Sequence, residues 1–324
     1  MARIVGNLKP EDDFTHRLGP ERNFNESMYF NFFDRARSLG GFLRLGNRPN
    51  EGCAELTLTL YLPDGSVLFQ FDRPQIDHND AFDAGGMRFE VLEPAQKLRS
   101  FYQGSAIELA EPRAMARPRE AFARSPRRRV TLDLVHHAVG PMYGGVAHAE
   151  EDGRSAEEQF ARAHYEQHMA VRGELRIDDE ARPVEGFGLR DHSWGPRSWQ
   201  AIRGYEWLTM NFGPDFGVVV SCIRRDGRPE RVGGVVVRGD ALDPVTHAHI
   251  EAEYEEGGLY HRRVDVDLTT AAGEALTIRG EVKGFIPLRN RRAGRTTQIG
   301  EGMTEWRCAD RVGYGLSEFL RLAE

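Results

Sequence analysis

The chain has 324 residues, a formal net charge of −7 at pH 7 and a sequence pI near 5.9, a balance that excludes the basic footprint of a nucleic-acid-binding protein. No apolar run approaches the ~18 residues of a membrane-spanning helix, and the opening MARIVGNLKPEDDF lacks the apolar core of a signal peptide. Cys53, Cys222 and Cys308 are too far apart for a zinc or disulfide framework, so the expectation is a soluble, cytoplasmic protein of two ordinary domains.

Alternation of apolar and polar residues predicts strands over 28–34 and 40–46, followed by the strongest one, Glu55–Leu62. There Leu56, Leu58, Leu60 and Leu62 share a face, Pro63-Asp64-Gly65 supplies a turn, and Val67, Phe69 and Phe71 alternate on the return strand. Strands follow at 87–93 and 97–103, and the Pro- and Arg-rich segment from Glu111 to Arg129 reads as a solvated connection. In the strand 129–137, His136 continues the face of Val130, Leu132 and Leu134, which suits a pocket rim or a structural histidine. Tyr143, after Gly140-Pro141-Met142, is expected on a loop over a cleft. The segment 154–163 (RSAEEQFARA) is the best helix candidate, and helix content below about 15% is expected against the usual ~30–35%. Strands resume at 161–177, 186–193, 203–212, 216–224, 232–238, 258–268, 274–286 and 312–320.

So many short strands with Gly, Pro and Asp-Gly punctuation imply an all-β protein of barrel or sandwich type. FFDRARSLGGFLRL in the first half and LRDHSWGPRSWQAIRGYEWLTM in the second each lead to a strand and a DG turn. That echo suggests duplication of one β-unit, with Asp34 and Asp191 at comparable places. The expected domains are residues 1–180 and 181–324, the second carrying DHSWGPR.

Residues 186–199, GFGLRDHSWGPRSW, hold the densest chemistry, with Trp194, Trp199 and Trp207 close by. An aspartate among indoles would keep its proton by desolvation, and indole faces attract a developing cation. Asp191 and His192 are therefore the expected catalytic residues, with Trp194, Trp199 and Trp207 around the substrate. Alternation nevertheless sets Asp191 with Phe187 and Leu189 on one face, and Arg190, His192 and Trp194 on the other. Between 164 and 172, His164, Glu166 and His168 share a face opposite Tyr165, Gln167, Met169 and Val171. Tyr165, Glu166 and His168 are included among the substrate-binding candidates, as are His136 and Tyr143. Arg190 and Arg197 suit a substrate carboxylate or carbonyl, or ion pairs with Asp191, Glu185 or Glu206. Tyr314 and Glu318 share a face of the closing strand and can approach a domain junction. No metal is expected, because a site needs three protein ligands or more and nothing in the spacing demands them.

GFGLRDHSWGPRSW, preceded by HYEQHMAVRGELRID and followed by GYEWLTMNF, resembles the AttH-like superfamily, which includes carotenoid 1,2-hydratases; fungal pericyclases share a related architecture. A D-H-S-W-G-x-R signature in bacterial proteins is nearer still. The resemblance implies two tandem lipocalin-like (calycin-type) β-barrel domains, a cleft at or near their junction, and hydrophobic, often isoprenoid, substrates handled without metal or redox cofactor. His192 and Trp194 match the hydratases' His-x-Trp element, whereas their Tyr-x-Asp element has no counterpart in the strand Val218–Cys222.

The expected activity is a cofactor-independent acid–base enzyme of hydro-lyase, isomerase or cyclase type on an isoprenoid or steroid-like molecule. The alternative is a non-catalytic carrier of such a ligand, and a homodimer is left open.

Overall fold

The computed structural model describes residues 3–146, 162–255, 260–292 and 294–323. Its first ten strands are β1 (Ile4–Gly6), β2 (Phe24–Asp34), β3 (Leu39–Arg48), β4 (Cys53–Tyr61), β5 (Val67–Asp72), β6 (Phe82–Ala84), β7 (Met87–Glu93), β8 (Lys97–Leu109), β9 (Arg127–Ala138) and β10 (Met142–Val146). The others are β11 (Ala163–Ile177), β12 (Glu180–Pro196), β13 (Gly204–Asn211), β14 (Phe216–Arg224), β15 (Arg231–Arg238), β16 (Ala241–Tyr254), β17 (His261–Thr270), β18 (Ala275–Arg292), β19 (Arg295–Cys308) and β20 (Arg311–Ala323). The structure is 68% strand and 8% helix, as the alternation demands.

β13 to β20 each pair with the next, and β20 returns to β13 to close an eight-stranded barrel. The first sheet has the same plan with insertions. β2, β3, β4, β5, β8, β9, β11 and β12 pair in that order, and β12 returns to β2. The hairpin β6–β7 and the strands β1 and β10 are added to this circuit. The fold is therefore all-β, with two tandem lipocalin-like units.

Period-two alternation decides what fills each unit. Leu56, Leu58, Leu60 and Leu62 point into the first barrel with Met28, Phe30, Phe32, Leu43 and Leu45. Leu208, Met210, Val218, Val220, Val264, Val266 and Trp306 fill the second. A third core lies between the barrels and is built from their outward faces: Tyr29, Phe33, Phe42, Tyr61 and Phe69 meet Ile286, Met303, Tyr314 and Leu316.

Three expectations need correcting. The division at 180/181 would cut β12 from its own barrel, because DHSWGPR lies on the strand that closes the first circuit against β2. The second barrel begins at Gly204. The connection from Glu111 to Arg129 is not simply solvated. It contains the short helix α1 (Pro118–Arg124), and Met115 and Ala121 are buried in the inter-barrel core. Of the expected helix 154–163, all but Arg162 and Ala163 lies outside the described residues, and Ala163 opens β11.

Candidate active site between the barrels

Strand register aligns polar side chains across the outer face of the first barrel. Tyr143 on β10 stands opposite Glu166 on β11, Glu166 opposite Asp191 on β12, Asp191 opposite Tyr29 on β2, and Tyr29 opposite Arg44 on β3. The second barrel presents a matching row, in which Glu301 on β19 stands opposite Glu318 on β20, and Glu318 opposite Trp207 on β13. The rows meet where Trp207 Nε1 donates to Glu166 Oε1 at 2.7 Å and the Tyr29 and Trp207 rings cross edge-to-face at 5.4 Å.

The same glycine pattern supports both rows. In Gly186-Phe-Gly188-Leu-Arg-Asp191 and Gly313-Tyr-Gly315-Leu-Ser-Glu318, the glycines precede the acid by five and three positions. A Cβ on Gly188 would lie 1.9 Å from the Asn31 carbonyl oxygen, and one on Gly315 would lie 1.7 Å from that of Thr209. Only glycine admits such close strand approach. Asn31 Oδ1 accepts from the Leu189 amide at 2.7 Å, and Thr209 Oγ1 accepts from the Leu316 amide at 3.0 Å. Asn31 Nδ2 then donates to Thr209 Oγ1 across the junction at 3.3 Å.

His164 Nε2 and Asp191 Oδ2 form a short ion pair, and the Glu166 carboxylate lies 3.9 Å from the same nitrogen. His164 keeps 45% of its side-chain surface accessible, yet desolvation by surrounding protein is the largest influence on it. His164 thus reaches solvent at the edge of the seam between the barrels, and Asp191 behind it is 17% accessible. Burial disfavours the imidazolium, but Asp191 and Glu166 outweigh it and hold the His164 pKa up at about 9. Burial pushes the Asp191 carboxyl up, and His164 and Arg197 bring it below the ordinary value. Asp191 is thus an anion paired to a cation. The sequence-based expectation of a neutral acid at Asp191 is overturned by this partner.

The carboxyls whose pKa is raised stand elsewhere. Burial raises Glu166, against the pull of His164 and the Trp207 hydrogen bond. Glu301 is raised to about 8 by burial. Glu318 also reaches about 8, through burial and Asp191 against Arg197 and Arg44. The Glu301 Oε2 atom is buried without a hydrogen-bond partner among the described residues. Tyr143 is on strand β10 rather than on a covering loop, its hydroxyl turned toward Glu166 without reaching ordinary hydrogen-bond geometry. Arg197 donates to Ser193 Oγ at 2.9 Å, and the Arg197 and Arg44 guanidinium carbons lie 4.7 and 5.7 Å from the Trp199 ring.

Residues expected beside Asp191 but on the opposite face of β12 turn into the first barrel. His192 Nε2 lies 2.7 Å from Glu26 Oε1 and His192 Nδ1 lies 3.1 Å from the Tyr165 hydroxyl. Tyr165 donates to Asp13 Oδ1 at 2.5 Å, and Arg190 pairs with Asp13 and with Gln167. Trp194 stacks on His16 at 3.7 Å, and His16 Nδ1 shares Glu26 Oε1 at 2.7 Å. Burial raises the Glu26 carboxyl, but His16 and His192 carry it down to about 2. His136 is also interior, 2.8 Å from Ser100 Oγ, and burial lowers it to about 3. His168 faces the junction, packed over Gly217, and burial lowers it to about 4. Thus His192, Trp194, Tyr165 and His136 are separated from Asp191 by the sheet itself. Glu166, Trp207, Arg197, Trp199 and Tyr143 are gathered with it.

Glu301, Arg44 and Tyr29 carry no role in the sequence pattern, whereas His164 belongs to the His164, Glu166 and His168 face that suits a metal or a proton relay. The G-x-G-L-x-acid repeat would have marked Glu318 as the partner of Asp191. Two groups bring three potential metal-ligand atoms within 4.8 Å: His16, Glu26 and His192, and His164, Glu166 and Asp191. In both, the histidine nitrogens already contact the carboxylates.

The fold is shared with solved structures at low sequence identity. A candidate AttH from Nitrosomonas europaea is 14% identical, with a TM-score of 0.59 over 98% of both chains. CghA is 11% identical, with a TM-score of 0.59 over 96% of this chain and 94% of its own. Kievitone hydratase from Nectria haematococca is 11% identical, with a TM-score of 0.59 over 99% of this chain and 97% of its own. No curated protein sequence matches the chain. Residues 9–323 match the model of a domain of unknown function, DUF7064. The chain belongs to that family.

Proposed function

We propose that this protein is an acid–base enzyme of hydratase, dehydratase, isomerase or cyclase type, acting on a hydrophobic small molecule bound between the two barrels. The observation that carries this reading is the His164–Asp191 ion pair, accessible to solvent at His164, with the buried acid Glu318 close enough to feel the Asp191 charge. Asp191 orients the His164 ring and stabilises its cation, so His164 gives and recovers a proton at the edge of the seam. Glu318, whose pKa burial raises to about 8, is a second donor whose proton reaches a substrate oxygen or alkene carbon, and burial also raises Glu166. Trp207 and Trp199 supply faces on which a developing cation is stabilised, worth about 2 kcal/mol when desolvated. The fold shared with a hydratase and with CghA supports this class without identifying a substrate.

The test is proton exchange. Apolar hydroxylated or unsaturated molecules extracted from the native host are incubated with the protein in D2O and read by mass spectrometry. The expected result is a deuterated or hydrated product with wild-type protein, lost in Asp191→Asn while the ligand still binds. Ligands that bind and return with unchanged mass would leave a carrier.

A further inference from the structure

The other face of β12 carries a second polar cluster, inside the first barrel and separated from Asp191 by the sheet. Glu26 on β2 and His192 on β12 are diagonal neighbours, since His192 pairs with Met28 and Trp194 with Glu26. The segment before β2 brings His16 to them. His16 Nδ1 and His192 Nε2 each lie 2.7 Å from Glu26 Oε1, and the three atoms fall within 4.8 Å of one another. The Glu26 and His192 side chains are fully buried, whereas His16 keeps 21% of its side chain accessible and gives the cluster a way to solvent.

The outer atoms of this group are all engaged by neighbours. Tyr165 gives its single hydroxyl proton to Asp13 Oδ1 at 2.5 Å and accepts from Arg190 Nη1 at 3.0 Å, so in the 3.1 Å contact with His192 it is Nδ1 that donates. His16 Nε2 also faces an acceptor, Asp12 Oδ1 at 3.3 Å. Glu26 Oε2 accepts from the His16 amide and from Asn79 Nδ2, both at 2.9 Å. Neutral imidazoles that donate outward keep their lone pairs on the inner nitrogens, here beside an anionic oxygen. Converging lone pairs require a cation among them. Protons on both nitrogens would set two positive rings 5.6 Å apart, whereas one dication serves both at once. Outward histidine nitrogens held by a carboxylate or another acceptor are the usual means of orienting metal ligands.

We propose that His16 Nδ1, His192 Nε2 and Glu26 Oε1 bind a divalent transition-metal ion, with Asp12, Tyr165 and Asn79 holding the three ligands in orientation. Zinc tetrahedra set ligand atoms about 3.3 Å apart, a separation that a small turn of the Glu26 carboxylate provides. Three protein ligands leave a fourth position for water or for an oxygen of a bound molecule. The ion ties the segment carrying Asp12 and His16 to the two strands that close the barrel, so its first effect is on stability. Spacing along the chain hides the site, because its ligands come from separate segments, Glu26 and His192 being 166 positions apart.

The test uses the full chain, treated with a chelator, dialysed, and titrated with zinc chloride by calorimetry and with cobalt(II) chloride by visible absorption. One ion per chain is expected, with cobalt d–d bands and a raised melting temperature. His16→Gln should abolish stoichiometric binding. Asp12→Asn should weaken zinc about 10- to 100-fold by loosening the His16 ring. His164→Gln should leave the zinc affinity unchanged, which separates this site from the His164, Glu166 and Asp191 group and from the proton chemistry proposed there. No stoichiometric binding by wild type, binding kept by folded His16→Gln, or loss of binding in His164→Gln instead would overturn the inference. Should His16→Gln not fold, an undiminished affinity in Asp12→Asn overturns it in its place.

Discussion

Asp191 and Glu318 occupy the same place in the two barrels. Each lies on the strand that closes its barrel, Asp191 between Glu166 and Tyr29 and Glu318 between Glu301 and Trp207. Their environments then divide them. Asp191 has His164 at bonding distance and ionises, whereas Glu318 has burial and a neighbouring anion and keeps its proton. Two carboxyls pushed apart in this way are the usual basis for separate acid and base roles.

Asp191→Asn should therefore act first on His164. With its anion gone, burial remains and the imidazole pKa should fall from about 9 to below the ordinary histidine value. Nitrogen-15 NMR titration of the His164 ring reads this directly, and a ring still titrating near 9 would refute the pairing. In an exchange assay the variant should lose ~10²–10⁴-fold in rate.

Stability should fall between pH 6 and pH 9. Glu301 and Glu318 hold protons in the folded state up to about 8 that the unfolded chain releases near 4.5, so their cost grows as pH rises through that window. His164, raised to about 9, contributes stability that is complete below about 6.5 and lost as pH climbs through 9. Each buried glutamate should account for roughly 1–3 kcal/mol of the loss. Urea unfolding of Glu301→Gln at both pH values should show a flatter dependence; an unchanged slope would count against a proton on Glu301.

Gly188→Ala and Gly315→Ala should destabilise alike, by about 3 kcal/mol each, since each places a methyl group inside van der Waals contact of a facing carbonyl. Gly233→Ala is the control, its nearest neighbour being Ser221 Oγ at 3.4 Å, and should change stability by less than about 0.5 kcal/mol. Thermal melts of the three variants make the comparison.

Removing His192 or Glu26 should damage the first barrel and leave the His164–Asp191 pair intact. Glu26 accepts from His16, His192 and Asn79 at 2.7–2.9 Å, so taking away one partner of this buried pair should cost about 3–5 kcal/mol. Its contribution is present above about 4.5 and lost as pH falls through about 2. His192→Gln should lower the melting temperature without moving the His164 ring titration; the reverse pattern would couple His192 to the His164–Asp191 pair.

Much of the fold was legible because period-two alternation survives in single strands. Glu55–Leu62 could be oriented from its four leucines alone, and those leucines do enter the core. The faces of β11 and β12 were legible for the same reason, including the separation of Asp191 from His192. What alternation cannot supply is the register between distant strands. That Tyr29 stands beside Asp191, with Arg44 one strand further, depends on the pairing of β12 with β2, two strands far apart in the sequence. The sign of the Asp191 shift depended on His164, which is 27 positions away. The duplication was visible in a different repeat from the one chosen. FFDRARSLGG aligns with no closing strand, whereas GFGLRD and GYGLSE do. Glycines at fixed offsets from an acid were the stronger signal, because close strand approach leaves no other residue type.

An interface made from the same two strands of equivalent barrels has the form of an isologous dimer contact, in which each patch meets its own copy. In a dimer of identical barrels every substitution would appear twice, and the junction would be forced into two-fold symmetry. Joined in one chain, the copies are free to diverge. His164 stands two residues before Glu166, and the equivalent position before Glu301 is Ile299. Arg44 faces Tyr29, and the residue facing Trp207 on the other side is Ser221. Covalent linkage thus lets one half carry the His164–Asp191 pair and the other the raised acids Glu301 and Glu318, so that the junction has a direction that a two-fold dimer would lack.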